Sequence, residues 1–220
     1  MRTVPLALLA VALAACGGDG AMTAPSPGAA LSPEAPAVPG QEASDCDRRG
    51  IDVARGREGR CRENGITFTV VDRDHLLELR ELKVRLLDLE IAERVSDRAA
   101  GTETAAGAFV ILTLAVTNKL DRPAHFDLAQ GQARLAVGGR TYVEDFDAEN
   151  GPVPDSFLFS DDSAIRPDRT RSGKIVFDVP AIVAARLTRP RSGANLLVLD
   201  FSDEGAWDRV EEVGVIRLWR

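Results

Sequence analysis

The most constraining feature of the sequence is an apolar run at residues 109–118, FVILTLAVTN, which is followed by a turn that ends at Pro123. In an extended chain successive side chains point to opposite faces, and here both sets of side chains are largely apolar. Strands with this composition lie near the centre of a sheet that is covered on both faces. We therefore predict that residues 109–118 form the central strand of a β-sandwich.

Turn signals separate this run from other short runs that are rich in β-branched residues. Gly138 and Gly139 separate two of them by the two-residue spacing of a tight β-hairpin. Residues 76–95 have the Leu, Glu and Arg content of a helix, but their apolar alternation changes phase after Leu86, which is typical of a strand with a β-bulge, and we predict a strand. Residues 96–107 favour a flexible hairpin connection. The other predicted strands lie at residues 66–70, 132–137, 140–143, 173–180, 195–201 and 213–219. This pattern predicts an all-β fold, an antiparallel sandwich with little helix.

The N-terminus carries export signals. Residues 1–15 combine Arg2 with an apolar stretch that is too short to span a bilayer but long enough for a signal peptide. The sequence LAAC at residues 13–16 resembles the bacterial lipobox, which implies that Cys16 becomes the lipidated N-terminus of the mature protein. The alternative is an ordinary signal peptide cut near Ala15, with Cys16 left as a free thiol.

A linker is predicted between the lipidated cysteine and the folded domain. Residues 16–45 are rich in Gly, Ala, Pro and Ser and contain almost no large apolar side chains. Such a segment cannot bury enough apolar surface to offset the entropy of ordering. We therefore predict a disordered tether that holds the domain away from the membrane surface.

The remaining two cysteines, Cys46 and Cys61, form an even pair once Cys16 is assigned to lipid. In an oxidising compartment such a pair predicts a disulfide. It would close a basic loop at residues 46–62, in which six arginines stand against three carboxylates. Two interpretations of this loop remain open: it attracts anionic lipid headgroups or wall polymers, or its arginines pair with the acidic domain. The domain itself is predicted to occupy residues 63–220.

Three pieces of the sequence resemble a known family. Residues 109–118 with Pro123 match the family's pattern of a valine-rich strand followed by Asn, a turn and Pro. Tyr142 lies where the family has a Tyr after a short hairpin. Residues 173–180 match the family's G-K-hydrophobic-x-F-x-V-P strand. The family is the immunoglobulin-like domain of unknown function of bacterial lipoproteins and secreted proteins, related to the immunogenic secreted antigens of mycobacteria. The resemblance covers about residues 66–219. It implies an immunoglobulin-like β-sandwich and assigns no catalytic residue.

The sequence carries no recognisable motif for catalysis or for cofactor binding. Its two histidines, His75 and His125, have no nucleophile motif in their sequence context, and we predict a surface or strand-end role for both. Neither a zinc-ligand spacing nor a phosphate-binding glycine loop is present. We therefore predict no catalytic, cofactor-binding or metal-binding residue.

One acidic stretch has the composition of a calcium-binding loop without the EF-hand pattern. Residues 144–163 hold seven acidic residues and no Lys or Arg. An EF-hand needs Gly at the sixth position and Glu at the twelfth, where this chain has Asn150 and Ser156. A solvated acidic loop is the simpler interpretation, and a looser calcium site remains open, with oxygens from Asp145, Asp147, Glu149, Asp161 and Asp162.

These features together predict a function class. The net charge of −7 disfavours nucleic acid as a partner. We predict a non-enzymatic interaction module that is anchored to the cell membrane through Cys16, faces outside the cytoplasm, and has an envelope protein or wall polymer as its partner. Two alternatives remain open: a hydrolase of wall glycan that uses Asp161, Asp162 and Glu149 as acid and base, and a structural envelope protein with no small ligand.

Overall fold

The computed structural model describes residues 45–49, 51, 57–97, 101–126, 131–150, 153, 155–157, 164–187, 189, 192–203 and 207–218. The predicted signal peptide, Cys16 and the linker up to residue 44 lie outside this part of the chain. The helical elements in it are α1 (Asp45–Arg49), α2 (Phe146–Asn150), α3 (Ala181–Leu187) and a 3-10 helix (Phe201–Asp203). None of the helices within the described ranges is long and apolar enough to cross a membrane.

Twelve strands account for most of the described chain. In order they are β1 (Gly59–Glu63), β2 (Ile66–Asp72), β3 (Leu77–Glu78), β4 (Leu82–Asp97), β5 (Gly101–Asn118), β6 (Ala124–His125), β7 (Ala133–Val137), β8 (Arg140–Tyr142), β9 (Ala164–Ile165), β10 (Thr170–Val179), β11 (Asn195–Val198) and β12 (Glu212–Arg217).

The strands form two main sheets that face each other. The six-stranded sheet has the order β1-β2-β12-β11-β7-β8, the four-stranded sheet has the order β10-β5-β4-β3, and β6 pairs with β9. All strand pairs are antiparallel except β2 with β12, which are parallel. These two strands lie near opposite ends of the described chain, so no tight hairpin dictates their direction. The predicted all-β sandwich is confirmed, with this one parallel pair as a difference.

Strand β5 is the centre of the four-stranded sheet, as predicted for residues 109–118. It pairs with β10 on one side and β4 on the other. Every second residue from Val110 to Val116 is completely buried in the main core between the sheets. On the opposite face Phe109 and Ile111 are also buried. A strand covered on both faces explains why the run is apolar almost throughout.

Strands β4 and β5 form one long hairpin. The predicted β-bulge is confirmed, because the register between the two strands shifts between Leu86 and Asp88. The prediction of a flexible connection at residues 96–107 is wrong, since the strands stay paired as far as Asp97 opposite Gly101. Val95 gives the physical reason, because it is buried in an apolar cluster on the outer face of the four-stranded sheet and holds this part of the hairpin in place.

The outer face of the six-stranded sheet is covered by the N-terminal disulfide segment. Cys46, Ile51 and Cys61 are buried there in one apolar cluster with Val70, Leu199, Val213 and Val215. Strand β1 is the edge strand of this sheet and pairs with β2 along its whole length. The segment at residues 46–62, predicted as a disulfide-closed loop ahead of the domain, therefore contributes a strand and apolar side chains to the fold.

The outer face and edge of the four-stranded sheet are covered by part of the acidic stretch. Ala148 of α2 and Val153 are buried in one cluster with Val95, Phe109, Ile111 and Val176. The same stretch satisfies the free edge of β10, since the Asp145 N–H donates to the carbonyl of Val176 at 2.7 Å and the Lys174 N–H donates to the carbonyl of Asp155 at 2.9 Å. Covering an edge strand in this way prevents it from pairing with other chains.

Two local features complete the fold. Gly138 and Gly139 have φ angles of 58° and 78°, which confirms the predicted two-residue hairpin between β7 and β8, because only such positive values fit a type I′ turn. Helix α3, which the sequence analysis did not predict, follows Pro180 directly. The carbonyl of Pro180 accepts hydrogen bonds from the N–H groups of Val183 and Ala184, so the proline that ends β10 also begins this helix.

Candidate functional site

A concave polar pocket lies at one end of the sandwich, where the two main sheets meet. Its volume is about 490 Å³, which is within the range of small-molecule sites. Its wall is supplied by β1, β2, the end of β3 with the β3–β4 turn, the loop after β5, the 3-10 helix, and the start of β12. The lining residues are Arg60, Thr67, Glu78, Leu79, Arg80, Lys119, Asp203, Glu211 and Glu212. We call this site the polar pocket.

Two of the cations in the pocket wall are held by carboxylates of the chain itself. Arg60 Nη2 lies 3.1 Å from Glu212 Oε1. Lys119 Nζ lies 3.1 Å from Glu78 Oε1 and donates a hydrogen bond to the carbonyl of Leu79 at 2.6 Å. The hydrogen bond from Lys119 holds the pKa of Glu78 below its ordinary value. These side chains therefore present fixed, paired charges to the pocket.

The third cation, Arg80, belongs to a polar cluster behind the wall. Its Nη2 donates to Ser202 Oγ at 2.8 Å and lies 3.4 Å from Glu81 Oε1. The Glu81 N–H donates to Asp200 Oδ1 at 3.0 Å, and the Ser202 N–H donates to Glu81 Oε2 at 2.7 Å. These two reciprocal hydrogen bonds join the β3–β4 turn to the segment after β11, and so they connect the two sheets beneath the pocket.

Asp200 is the most perturbed acid in this cluster. Its side chain is completely buried, and burial, together with repulsion from Glu81 and Glu212, raises its pKa from 3.8 to about 6. The hydrogen bond from the Glu81 N–H and the nearby charge of Arg80 act in the opposite direction and limit the rise. A buried carboxyl with a raised pKa beside a cleft is a typical marker of a functional region.

Neither histidine takes part in the polar pocket. His75 Nδ1 lies 2.5 Å from Glu58 Oε1 on the protein surface, and this hydrogen bond raises the pKa of the imidazole. The same carboxylate oxygen accepts a hydrogen bond from the Asp72 N–H. His125 is exposed on the short strand β6. Both positions agree with the predicted surface and strand-end roles.

The acidic stretch that was compared with a calcium loop contributes to the fold in its described part. Glu149 is completely buried, and its Oε1 accepts a hydrogen bond from the Val176 N–H at 2.5 Å. Asp145 Oδ1 accepts a hydrogen bond from the Ala148 N–H at 3.0 Å, at the start of α2. Asp161 and Asp162 lie outside the described residues. In the part of the chain that the structure describes, no three His, Cys, Asp or Glu side chains form a group that could hold a metal ion.

The N-terminal disulfide segment contributes one residue to the polar pocket. Cys46 and Cys61 form a disulfide with their Cα atoms 4.8 Å apart, as predicted. Within this segment Arg60 pairs with Glu212 of the domain, and Arg49 pairs with Asp45 at 2.9 Å. Arg60 therefore follows the second of the two interpretations, in which the arginines pair with the domain.

The polar pocket could not be found from the sequence because its lining residues are far apart in the chain. Arg60 and Glu212, for example, pair from near opposite ends of the described chain. The one local signal is Asp200 itself, an acidic residue directly after the apolar run LLVL at residues 196–199. A charged residue at the end of a buried strand carries no information about which distant groups will surround it.

Comparison with known proteins gives one family match. Residues 77–188 match the model of a family described as "Domain of unknown function (DUF4352)", which is just over half of the 220 residues. No curated protein matches this chain.

Several solved structures are similar to the chain. An uncharacterized β-sandwich protein from Clostridium difficile 630 is 14% identical with a TM-score of 0.43, and the match covers 71% of this chain and 99% of that one. A functionally unknown protein from Listeria monocytogenes EGD-e is 14% identical with a TM-score of 0.45, covering 64% of this chain and 79% of that one. The secreted protein MPT63 from Mycobacterium tuberculosis is 17% identical with a TM-score of 0.42, covering 67% of this chain and 95% of that one.

Proposed function

The chain belongs to the DUF4352 family, a domain of unknown function, and on this premise we propose that it is a lipid-anchored extracytoplasmic protein whose β-sandwich binds a ligand or partner at the polar pocket. We also propose that the domain catalyses no reaction at this pocket. An envelope protein or a wall polymer is the partner class that fits a domain tethered outside the cytoplasm.

The observation that carries the binding role is the arrangement of charge around the pocket. Arg60 and Lys119 are fixed by ion pairs with the chain's own carboxylates. A general acid or base must come within hydrogen-bonding distance of the substrate. Asp200 has a pKa suited to such a role but is completely buried behind Arg80. The accessible groups thus favour recognition by fixed charges over proton transfer.

The location outside the cytoplasm is supported by two features of the N-terminal region. The LAAC sequence at residues 13–16 places Cys16 where the lipobox pattern requires the lipidated cysteine. The disulfide between Cys46 and Cys61 is buried in an apolar cluster of the folded domain. Structural disulfides of this kind are formed and kept in oxidising compartments.

The anchor is tested by fractionating cells that produce the full chain or its Cys16→Ala variant. With an alkyne analogue of palmitate in the medium, we expect the wild-type chain to be labelled and to sediment with membranes. The Cys16→Ala variant should be unlabelled and should leave the membrane fraction. A double variant, Cys46→Ala with Cys61→Ala, is the matched control and should keep the label. Equal membrane binding of wild type and Cys16→Ala would refute the anchor.

The binding role is tested separately from the anchor. The purified chain should co-sediment with isolated wall polymer or become cross-linked to an envelope component, and it should release no reducing sugar from wall glycan. Release of reducing sugar that is lost in Asp161→Asn with Asp162→Asn would instead support the glycan hydrolase. A chain that neither co-sediments nor cross-links would refute the binding role and support a structural envelope protein.

A further inference from the structure

The polar pocket holds an excess of negative charge that the chain does not neutralise. Four carboxylates and three cations line it. The cations have partners, as described above, and those partners include Glu78 and Glu212. The two other lining carboxylates, Asp203 and Glu211, form no ion pair and accept no side-chain hydrogen bond within the described part of the chain. These two groups are available to a ligand.

A second observation behind the wall points to the same sign of charge. Asp200 Oδ2 accepts no hydrogen bond within the described residues, and it faces the lining residue Arg80, whose Nε lies 3.9 Å away. Burial is the main cause of the raised pKa of Asp200, and the charges of Glu81 and Glu212 add to it. The carboxylates of Glu81 and Glu212 add negative charge at this end of the sandwich, which attracts a cation into the adjoining cleft.

The size and lining of the pocket favour an organic cation over a metal ion. A volume of about 490 Å³ is far larger than the coordination sphere of one metal ion and is comparable to sites for small organic molecules. The same volume leaves room for an alkyl stem beside the charged end of such a cation.

We propose that the polar pocket binds a primary ammonium or guanidinium group on an alkyl chain, with Asp203 and Glu211 as its anionic contacts. This inference rests on the proposed binding function and names the ligand chemistry. Such a group can come from a basic peptide segment or from a free polyamine. Both present the same charged end and the same methylene stem to the pocket.

The test is calorimetric titration of the full chain, purified in detergent, with two probes that separate these sources: acetylated trilysine amide and spermidine. Acetylated triglutamate amide is the negative control. We expect saturable binding of at least one cationic probe, no binding of triglutamate, and weaker binding as the salt concentration rises. Binding of trilysine alone would assign the peptide source, and binding of spermidine alone would assign the free amine.

Specificity is tested with matched double variants. Asp203→Asn with Glu211→Gln should weaken binding of the cationic probe by roughly five-fold, because two exposed ion pairs are lost. Glu90→Gln with Asp208→Asn changes the net charge equally at two exposed positions outside the pocket and should leave the affinity unchanged. Equal weakening in both double variants would show non-specific attraction to the acidic chain and overturn the proposal.

Two further outcomes would also overturn the inference. One is the absence of saturable binding by either cationic probe. The other is saturable binding of Ca²⁺ that Asp203→Asn with Glu211→Gln abolishes. If the chain still co-sediments with wall polymer in either case, the ligand chemistry proposed here is wrong while the binding role stands. Far-UV circular dichroism of each variant establishes that the fold is retained.

Discussion

Replacing Asp200 by Asn is expected to stabilise the protein at neutral pH. The Asp200 carboxyl is completely buried, and its pKa is raised from 3.8 to about 6. One pKa unit corresponds to about 1.4 kcal/mol, so ionisation of Asp200 costs the folded state roughly 3 kcal/mol at pH 7. An Asn side chain keeps an oxygen that can accept the hydrogen bond from the Glu81 N–H but carries no charge.

The sign of the pH dependence follows from the direction of the shift. The folded protein binds the proton of Asp200 more tightly than the unfolded chain does, because the folded-state pKa is the higher one. The contribution of Asp200 to the free energy of unfolding therefore falls as the pH rises between about 4 and about 6, and the full cost is present above this range. Asp200→Asn should lack this fall.

The assay is urea unfolding of wild type and Asp200→Asn at about pH 7 and about pH 4.5. We expect the variant to be more stable at the higher pH by up to about 3 kcal/mol, and the difference to shrink at the lower pH. Comparing the two proteins at each pH cancels the titration of all other groups. Asp203→Asn, at a less buried position, is the matched control for the loss of one carboxylate at this end of the sandwich. If the stability of Asp200→Asn and of wild type changed equally with pH, the raised pKa of the buried Asp200 carboxyl would be ruled out.

Three further predictions concern the coverings and packing of the two sheets. Glu149→Ala should lower the free energy of unfolding by about 1–3 kcal/mol, because it leaves the buried N–H of Val176 without its acceptor, and an unchanged urea midpoint would contradict this. Gly173→Ala should cost about 1–3 kcal/mol by thermal unfolding, since a Cβ there would lie 2.8 Å from the Phe157 ring, and an unchanged melting temperature would contradict this clash. Reduction of the Cys46–Cys61 disulfide, which joins residues 15 positions apart, should cost about 3 kcal/mol, and equal melting temperatures of the oxidised and reduced chains would refute its stabilising role.

The sequence was informative where structure depends on neighbouring residues. The alternation of apolar residues predicted the central strand and its covering on both faces, and the phase change after Leu86 predicted the bulge. The spacing of Gly138 and Gly139 predicted the tight hairpin. The resemblance to a domain of unknown function is confirmed by the DUF4352 match.

The sequence was uninformative where function depends on distant segments. The apolar side chains of the disulfide segment and of α2 gave no sign that they would cover the outer faces of two different sheets. The hairpin around Val95 was mistaken for a flexible connection because its small residues and glycines resemble a loop, whereas burial of Val95 keeps the strands paired. The polar pocket combines charges such as Arg60 and Glu212 from opposite ends of the described chain. No local pattern predicts such a meeting.

The central claim, that this sandwich binds its ligand at the polar pocket, is tested most directly by nuclear magnetic resonance of the ¹⁵N-labelled full chain titrated with acetylated trilysine amide. The account predicts that the largest shifts occur at the backbone amides of Arg80, Lys119, Asp203 and Glu211, and that they saturate. Shifts centred on residues at the opposite end of the sandwich, or spread evenly over the acidic surface, would contradict it.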